Sequence, residues 1–125
     1  GGIPENTGKI IGGGPMMGKA LLSADLPVTK GTSGILLISQ EESVRKPMRA
    51  CIRCAKCVNV CPMGLNPTFL MVDTQQQDWE RAERGHIVDC IECGSCSFTC
   101  PSNRPLLDFI RMGKQQVMGI IRNRK

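Results

Sequence analysis

The chain has 125 residues and a formal net charge of +5, with eight cysteines but only three Phe, one Trp and no Tyr. This length allows one domain or two very small ones, and with so few aromatic residues we expect bound metal to help hold the fold. The basic charge would suit nucleic acid, but the shortage of aromatic side chains argues against single-strand binding, and we expect no nucleic-acid partner.

Residues 1–45 are rich in glycine and contain three short runs of β-prone apolar residues. The runs are Lys9–Ile11, Val28–Thr29 and Ile35–Ile38. Such runs, separated by Gly and Ser, predict the strands of hairpins, and Ala20–Leu22 is predicted to form one helical turn. Because these strands are too few to close a sheet, this part of the chain is predicted to be an incomplete β-rich domain.

The segment GGGPMMGKA, residues 12–20, is similar to a phosphate-binding loop. It reads G-x-x-x-x-G-K from Gly13 to Lys19. A true loop of this kind has Ser or Thr after the lysine to hold magnesium, whereas position 20 is Ala, and Pro15 removes one backbone N–H. We therefore interpret the segment as a tight turn that uses glycine for unusual backbone angles. A nucleotide-binding loop is the alternative.

Residues 46–125 contain every cysteine and are predicted to be mainly helical, which makes the whole chain α+β. Asn66 can cap a helix and Pro67 suits its first turn. The run from Asp78 to Arg84 predicts a second helical stretch that ends at Gly85. Residues 66–85 are therefore predicted to be helical, and not a pair of strands.

The end of the chain is predicted to be an amphipathic helix. Ser102 or Asn103 is predicted to cap it, with Pro105 in its first turn. Its apolar side chains recur at a spacing near 3.6 residues. They are Leu106, Ile110, Val117, Ile120 and Ile121. We interpret this stripe as a face that packs against the rest of the domain.

All eight cysteines lie in two runs with the same spacing, C-x2-C-x2-C-x3-C followed by Pro. The first run is CIRCAKCVNVCP and the second is CIECGSCSFTCP. The cysteines are Cys51, Cys54, Cys57 and Cys61 in the first run, and Cys90, Cys93, Cys96 and Cys100 in the second. This is the bacterial ferredoxin pattern for a [4Fe-4S] cluster, so the sequence predicts two such clusters.

The spacing also predicts that the two runs share their ligands. Three thiolates two residues apart can reach three iron atoms of one cube, whereas the fourth leaves on a helix and binds the other cluster. This assigns the first cluster to Cys51, Cys54, Cys57 and Cys100. It assigns the second cluster to Cys90, Cys93, Cys96 and Cys61.

The cysteines have two other interpretations, which fit less well. A zinc site typically uses two C-x-x-C pairs joined by a loop, which matches these tandem triplets poorly. A disulfide framework is typical of secreted proteins, and the sequence shows no secretory signal and no apolar run long enough to cross a bilayer. No catalytic residue is predicted.

Over essentially its whole length the chain resembles the C-terminal part of the RnfC family of the Rnf electron transport complex. The segments that carry the resemblance are IGGGPMMGKAL, PVTKGTSGILL, the two cysteine runs and RPLLDFIRMGK. The resemblance implies that residues 1–45 are the end of a β-grasp domain of the soluble ligand-binding type. It implies that residues 46–125 are a helical ferredoxin-like domain with two [4Fe-4S] clusters.

The resemblance also implies a function. Rnf complexes couple electron transfer between NADH and ferredoxin to ion pumping at the bacterial membrane. The chain would then be an electron relay that is not catalytic alone, with FMN and NADH bound by an upstream domain outside this sequence. Its partners would be the other proteins of the Rnf complex and ferredoxin or another redox protein, and it would lie at the cytoplasmic face of the membrane through those partners. The alternative is the cluster module of a microcompartment cobalamin reductase.

Overall fold

The computed structural model describes residues 2–124, an α+β fold in two compact units. The first unit ends at Lys46 and the second begins at Pro47. The first contains a small sheet, and the second contains five α-helices and all the cysteines.

The first unit is a three-stranded antiparallel sheet with the order β2-β1-β3. The strands are β1 (Thr7–Gly12), β2 (Lys19–Ala20) and β3 (Ile35–Ser39). The short helix α1 (Gln40–Ser43) follows β3, and Ser39 caps it because its hydroxyl accepts a hydrogen bond from the Glu42 N–H. The runs of apolar residues at 9–11 and 35–38 therefore do form strands.

Two of the expectations for this unit were wrong. Val28 and Thr29 lie in exposed irregular chain and pair with no strand among the described residues. Ala20 belongs to β2, where it pairs with Ile11, and does not begin a helical turn. Ala20 is in a strand because β1 pairs with it, and residues 28–29 are not in a strand because they have no such partner within residues 2–124. Local propensity predicts poorly whether a partner strand is present.

The glycine-rich segment is the connection between β1 and β2. Gly13 has a φ of +108°, which a residue with a side chain rarely adopts. Gly18 donates its N–H to the Gly14 carbonyl at 2.8 Å, and a Cβ at Gly18 would lie 3.0 Å from the Gly12 carbonyl oxygen. Lys19 begins a strand and not a helix, so the loop lacks the helix N-terminus that receives phosphate in a nucleotide-binding loop.

The second unit consists of two short helices next to the cysteines and three longer ones. In chain order its helices are α2 (Lys56–Asn59), α3 (Pro67–Gln75), α4 (Trp79–Arg84), α5 (Ser95–Phe98) and α6 (Leu106–Asn123). A 3₁₀ turn at Ile87–Asp89 lies between α4 and α5. The core is formed mainly by α3, α4, α6 and this turn.

The prediction of helices over residues 66–85 is confirmed. Asn66 caps α3, with its side-chain oxygen accepting a hydrogen bond from the Phe69 N–H at 3.3 Å, and Pro67 is the first helical residue. Asp78 caps α4 in the same way, and Gly85 ends that helix. The two helices are separated only by the short turn at residues 76–78.

Helix α6 has the predicted apolar stripe but not the predicted cap. Leu106, Ile110 and Val117 are each 1% exposed, and burial of an aliphatic side chain of this size stabilises the fold by about 1.5–3 kcal/mol. The N-cap residue is Pro105, which has no side-chain donor or acceptor. Ser102 was expected to cap the helix, but its hydroxyl bonds the Ala50 carbonyl at 2.8 Å.

Asn103, the other cap that we expected, donates instead from Nδ2 to the Pro47 carbonyl at 3.4 Å. The N-terminal turn of α6 is served by Ser97 of α5, whose hydroxyl accepts a hydrogen bond from the Leu107 N–H at 2.9 Å. Within residues 2–124 no helix has the length and apolar character needed to span a membrane.

Candidate iron–sulfur site

The two cysteine runs have the same backbone conformation. Arg53 and Glu92, two residues after the first cysteine of each run, have φ of 56° and 57°. Ala55 and Gly94, two residues further on, are also in the left-handed region and are the N-cap residues of α2 and α5. Three of these four residues are not glycine, so this feature of the loops cannot be read from residue type.

The agreement continues beyond the loops. Cys57 and Cys96 are each the second residue of a short helix, and both are buried. Gly64 and Asn103, three residues after the last cysteine of each run, have positive φ and donate their N–H to the carbonyl of that cysteine at 3.1 Å. Each run is then followed by a long helix, α3 or α6, so the unit is a structural repeat.

One cavity in this unit, called the first cavity below, lies between the two runs and is open to solvent. Its volume is about 570 Å³. Three cysteines of the first run and the last cysteine of the second run line it: Cys51, Cys54, Cys57 and Cys100. Cys51 and Cys54 are exposed, and Cys57 is buried. Four thiols around a space of this size fit the ligand set and the bulk of a cubane cluster.

The second cavity is lined by the other four cysteines: Cys61, Cys90, Cys93 and Cys96. Its volume is about 20 Å³, close to the smallest that holds one water molecule. The donor set fits a cluster, but the thiols would have to move apart to admit one. Apolar side chains of α3 and α6, including Leu70 and Ile110, form much of the remaining wall.

Hydrogen bonds between residues that flank the two runs explain why cysteines of both runs line the first cavity. The Ser102 hydroxyl donates to the Ala50 carbonyl, and the Arg49 N–H donates to the Ser102 carbonyl at 2.9 Å. These bonds fasten the residues just before Cys51 to those just after Cys100. Ser102 is 4% exposed, so the bonds are protected from competing water.

Ion pairs and hydrogen bonds attach the second loop to α6. The Lys114 ammonium donates to the Cys90 carbonyl at 2.7 Å. Arg111 Nε lies 2.9 Å from a carboxylate oxygen of Glu92, and Lys114 lies 3.7 Å from the other oxygen. These contacts hold the residue with positive φ between Cys90 and Cys93 in place.

The thiols of the second cavity differ in acidity. Burial raises the pKa of Cys96 to about 11, and burial also raises the pKa of Cys90. The hydrogen bond with Ser95 lowers the pKa of Cys93 below its ordinary value. Only the thiolate is a good metal ligand, so iron can bind this group only after Cys90 and Cys96 lose their protons. Burial makes that loss less favourable, because it raises the pKa of both thiols.

The wall of the first cavity also contains charged residues that sequence reasoning did not identify. They are Arg53, Arg81, Arg104 and Asp73. Asp73 of α3 is 3% exposed, and its Oδ1 lies 3.2 Å from Arg81 Nε. Burial raises the pKa of Asp73, and the Arg81 guanidinium opposes this shift. No short sequence pattern indicates these residues, because they come from the first cysteine loop, α3, α4 and the turn before α6, which only the fold brings together.

The eight predicted ligands thus line two cavities in groups of four. Their side chains are nevertheless not close enough to bind a single metal ion directly, since no three Cys, His, Asp or Glu side chains within residues 2–124 converge to that extent.

The comparisons with known proteins agree with the cysteine pattern. The family described as "4Fe-4S dicluster domain" matches residues 43–101. The chain is 44% identical over 118 residues to the RnfC protein of the Na(+)-translocating ferredoxin:NAD(+) oxidoreductase complex of Acetobacterium woodii, covering 94% of this chain and 27% of that protein. It is 43% identical over 117 residues to the RnfC protein of the proton-translocating ferredoxin:NAD(+) oxidoreductase complex of Clostridium ljungdahlii, covering 93% and 26%.

A third relative is the RnfC protein of the ion-translocating oxidoreductase complex of Rhodobacter capsulatus, which is 40% identical over 91% of this chain and 22% of its own length. The chain therefore spans about a quarter of the length of these relatives. They give no support to the alternative of a cobalamin reductase module. By these matches the chain is, over most of its length, a homologue of the RnfC proteins of the ion-translocating oxidoreductase (Rnf) complexes, and it carries a 4Fe-4S dicluster domain.

Proposed function

We propose that the chain is an electron-relay module of an Rnf-type complex and that it binds two [4Fe-4S] clusters through ligands exchanged between its two cysteine runs. The observation that supports this most strongly is the lining of the two cavities. Each contains the first three cysteines of one run and the last cysteine of the other. The first cluster would be held by Cys51, Cys54, Cys57 and Cys100, and the second by Cys90, Cys93, Cys96 and Cys61.

The surrounding residues have roles that suit such ligands. The Thr68 hydroxyl lies 3.2 Å from Cys57 Sγ, and the Glu92 N–H donates to Cys90 Sγ at 3.4 Å. Hydrogen bonds of this kind stabilise negative charge on sulfur and tune reduction potentials. The apolar side chains around the second group, such as Leu107, limit the access of water.

The two sites would divide the work of a relay between them. When bound, a [4Fe-4S] cluster supplies the capacity to take up one electron and release it. Cys51 and Cys54 are exposed, so the first site is open toward a redox partner. No cysteine of the second group is exposed, since Cys96 is buried and the other three are half-buried, so this site is the more enclosed of the two. The chain needs an electron donor and an acceptor outside itself and catalyses no net reaction alone.

The larger context of the relay is also part of the proposal. Residues 1–45 would be the end of a β-grasp domain, and residues 46–125 would be the ferredoxin-like domain. The terminal residues Gly1 and Lys125 lie outside those that the structure describes. Electrons would pass between a flavin, FMN, reduced by NADH on an upstream domain, and ferredoxin or another one-electron carrier. The other proteins of the Rnf complex would hold the chain at the cytoplasmic face of a bacterial membrane.

The first test is chemical. The protein, reconstituted with iron and sulfide without oxygen, is expected to contain about eight iron atoms and eight acid-labile sulfides per chain. Electron paramagnetic resonance of the reduced protein should show two [4Fe-4S] signals. Zinc in place of iron, with no labile sulfide, would contradict the proposal.

The second test examines the exchange of ligands. Cys61→Ser is expected to damage the same cluster as Cys93→Ser and to leave the other intact, because serine oxygen is a harder and poorer ligand for iron than a thiolate. Cys100→Ser should damage the same cluster as Cys54→Ser. If Cys61→Ser has the spectrum of Cys54→Ser instead, each run binds its own cluster and the assignment is wrong.

A further inference from the structure

Exposed side chains of two kinds surround the mouth of the first cavity. Ile52 and Phe69 are apolar, and they are 67% and 59% exposed although both line the cavity. Arg53 lines the cavity too and is also exposed. Arg49 and Lys56 lie within four residues of Arg53 along the chain, and both are exposed. The three cationic side chains, Arg49, Arg53 and Lys56, are called the basic rim below.

The charge of the basic rim is not balanced within the chain. Residues 47–72 contain these three cations and no Asp or Glu. In the part of the chain that the structure describes, none of the three side chains forms an ion pair. The cations beside the second cysteine group, Arg111 and Lys114, are instead engaged by Glu92. An oxidised cluster with its four thiolates would carry a charge of about −2, so three cations at the mouth still leave it net positive.

The structural repeat indicates that the charge of Arg53 does not serve the loop itself. Its counterpart in the second run is Glu92, which has almost the same φ. Ion pairs attach Glu92 to α6, whereas the Arg53 side chain has no such partner in residues 2–124. Glycine would adopt this φ at a lower cost than arginine. Arg53 therefore adds a positive charge to the mouth of the cavity that no ion pair among the described residues uses.

We propose that the basic rim, together with Ile52 and Phe69, is the docking surface for an acidic electron-carrier protein that exchanges one electron with the first cluster. This inference rests on the proposed function and adds to it the docking surface and the charge of the partner. Each encounter oxidises one centre and reduces the other by one electron, and no bond forms or breaks. Transient electron-transfer interfaces bury less than about 1,200 Å², so a few apolar side chains ringed by charge suffice.

The test is stopped-flow mixing of the whole reconstituted chain with a plant-type [2Fe-2S] ferredoxin, which is an acidic carrier, in the direction that the measured potentials favour. Opposite charges speed the encounter of two proteins, and salt screens them. The second-order rate constant is expected to fall at least about tenfold between 10 mM and 1 M salt, because the Debye length shrinks from about 30 Å to about 3 Å.

Arg53→Glu reverses one charge of the basic rim, and Glu92 shows that such a loop accepts glutamate at this position. At 0.1 M salt, where the Debye length is about 10 Å, this variant is expected to react at least about threefold more slowly. Arg122→Glu makes the same change at an exposed position of α6, about 24 Å along the helix from the cavity residue Leu106, and should stay within about 1.5-fold of the unmodified protein. Lys56→Glu replaces Arg53→Glu if the latter does not load its first cluster.

The apolar part of the surface has its own measurement. Ile52→Ser should slow the reaction at least about threefold at 1 M salt as well, because an apolar contact is not screened. Met118→Ser, at an exposed position of α6, is the control and should have no effect.

A rate constant that does not fall with salt, or that is equal in Arg53→Glu and Arg122→Glu, would overturn the inference. So would binding to phosphatidylserine vesicles that Arg53→Glu abolishes while the rate of electron transfer stays unchanged, because the surface would then meet a membrane. A chain without two [4Fe-4S] signals before any substitution would overturn the proposed function itself.

Discussion

Two glycines of α6 give a direct test of how tightly the helix packs. A Cβ at Gly113 would collide with the Thr74 hydroxyl of α3 and lie 2.8 Å from Ile87 Cδ1. Thr74 and Ile87 are both almost completely buried and cannot move aside freely. A Cβ at Gly119 would meet nothing within 4 Å. The same substitution to alanine is therefore compatible with the fold at one position and not at the other.

The expected magnitudes follow from two opposing effects. Alanine in a helix is more favourable than glycine by about 1 kcal/mol, so Gly119→Ala should stabilise the protein by that amount. Gly113→Ala has the same gain but adds an overpacking cost of about 1–3 kcal/mol. The difference between the two variants measures the packing cost alone, because the intrinsic gain is common to both.

The assay is thermal unfolding of both variants with full iron content, followed by circular dichroism without oxygen. For a unit of this size, 1 kcal/mol corresponds to a change in Tm of about 4–8 °C. Gly119→Ala should therefore unfold at least about 4 °C above Gly113→Ala. A Gly113→Ala protein as stable as Gly119→Ala would refute the close approach of α6 to α3.

Three further predictions concern other parts of the chain. Ser102→Ala removes the hydrogen bond to the Ala50 carbonyl and should lower the free energy of unfolding by about 1 kcal/mol. The first site should also lose iron faster in the presence of a chelator, and an unchanged rate of iron loss would contradict the role of Ser102 in holding the two runs together. Burial raises the pKa of Asp73, so stability should fall as pH rises from about 4 through that pKa, and Asp73→Asn should flatten this fall in melts over the range. Lys19→Ala should leave iron content unchanged, and a large loss of ATP affinity in a titration would show that the glycine-rich loop binds nucleotide.

Local signals in the sequence were enough to predict part of the second unit. Asn66 and Pro67 begin α3 as expected, because capping depends on a few adjacent residues. The stripe of α6 was also predicted, because burial follows from helical period once a core exists. The spacing of the cysteines also predicted which four thiols bind each cluster. That assignment stays a prediction until it is measured on protein that contains the clusters.

Features that depend on distant contacts could not be predicted. The N-terminal turn of α6 is served by Ser97 on another helix, which no pattern around residue 105 shows. Arg53 and Glu92 adopt positive φ although their side chains disfavour it, because the loop must turn its backbone around the cavity. The charged wall of the first cavity likewise depends on distant contacts, because its residues come from four separate parts of the second unit.

The mixed origin of the cysteines in each cavity has a consequence for biosynthesis. Cys51 and Cys54 leave the ribosome 49 and 46 residues before Cys100, the last member of their group. At about 5–20 residues per second, the early thiols would lack their fourth partner for about 2–10 s. Neither group is complete until the second run has emerged and the helices have packed. Insertion of iron and sulfide would therefore follow synthesis of the second run, and the thiols of the first run would be open to oxygen and stray metal during that interval.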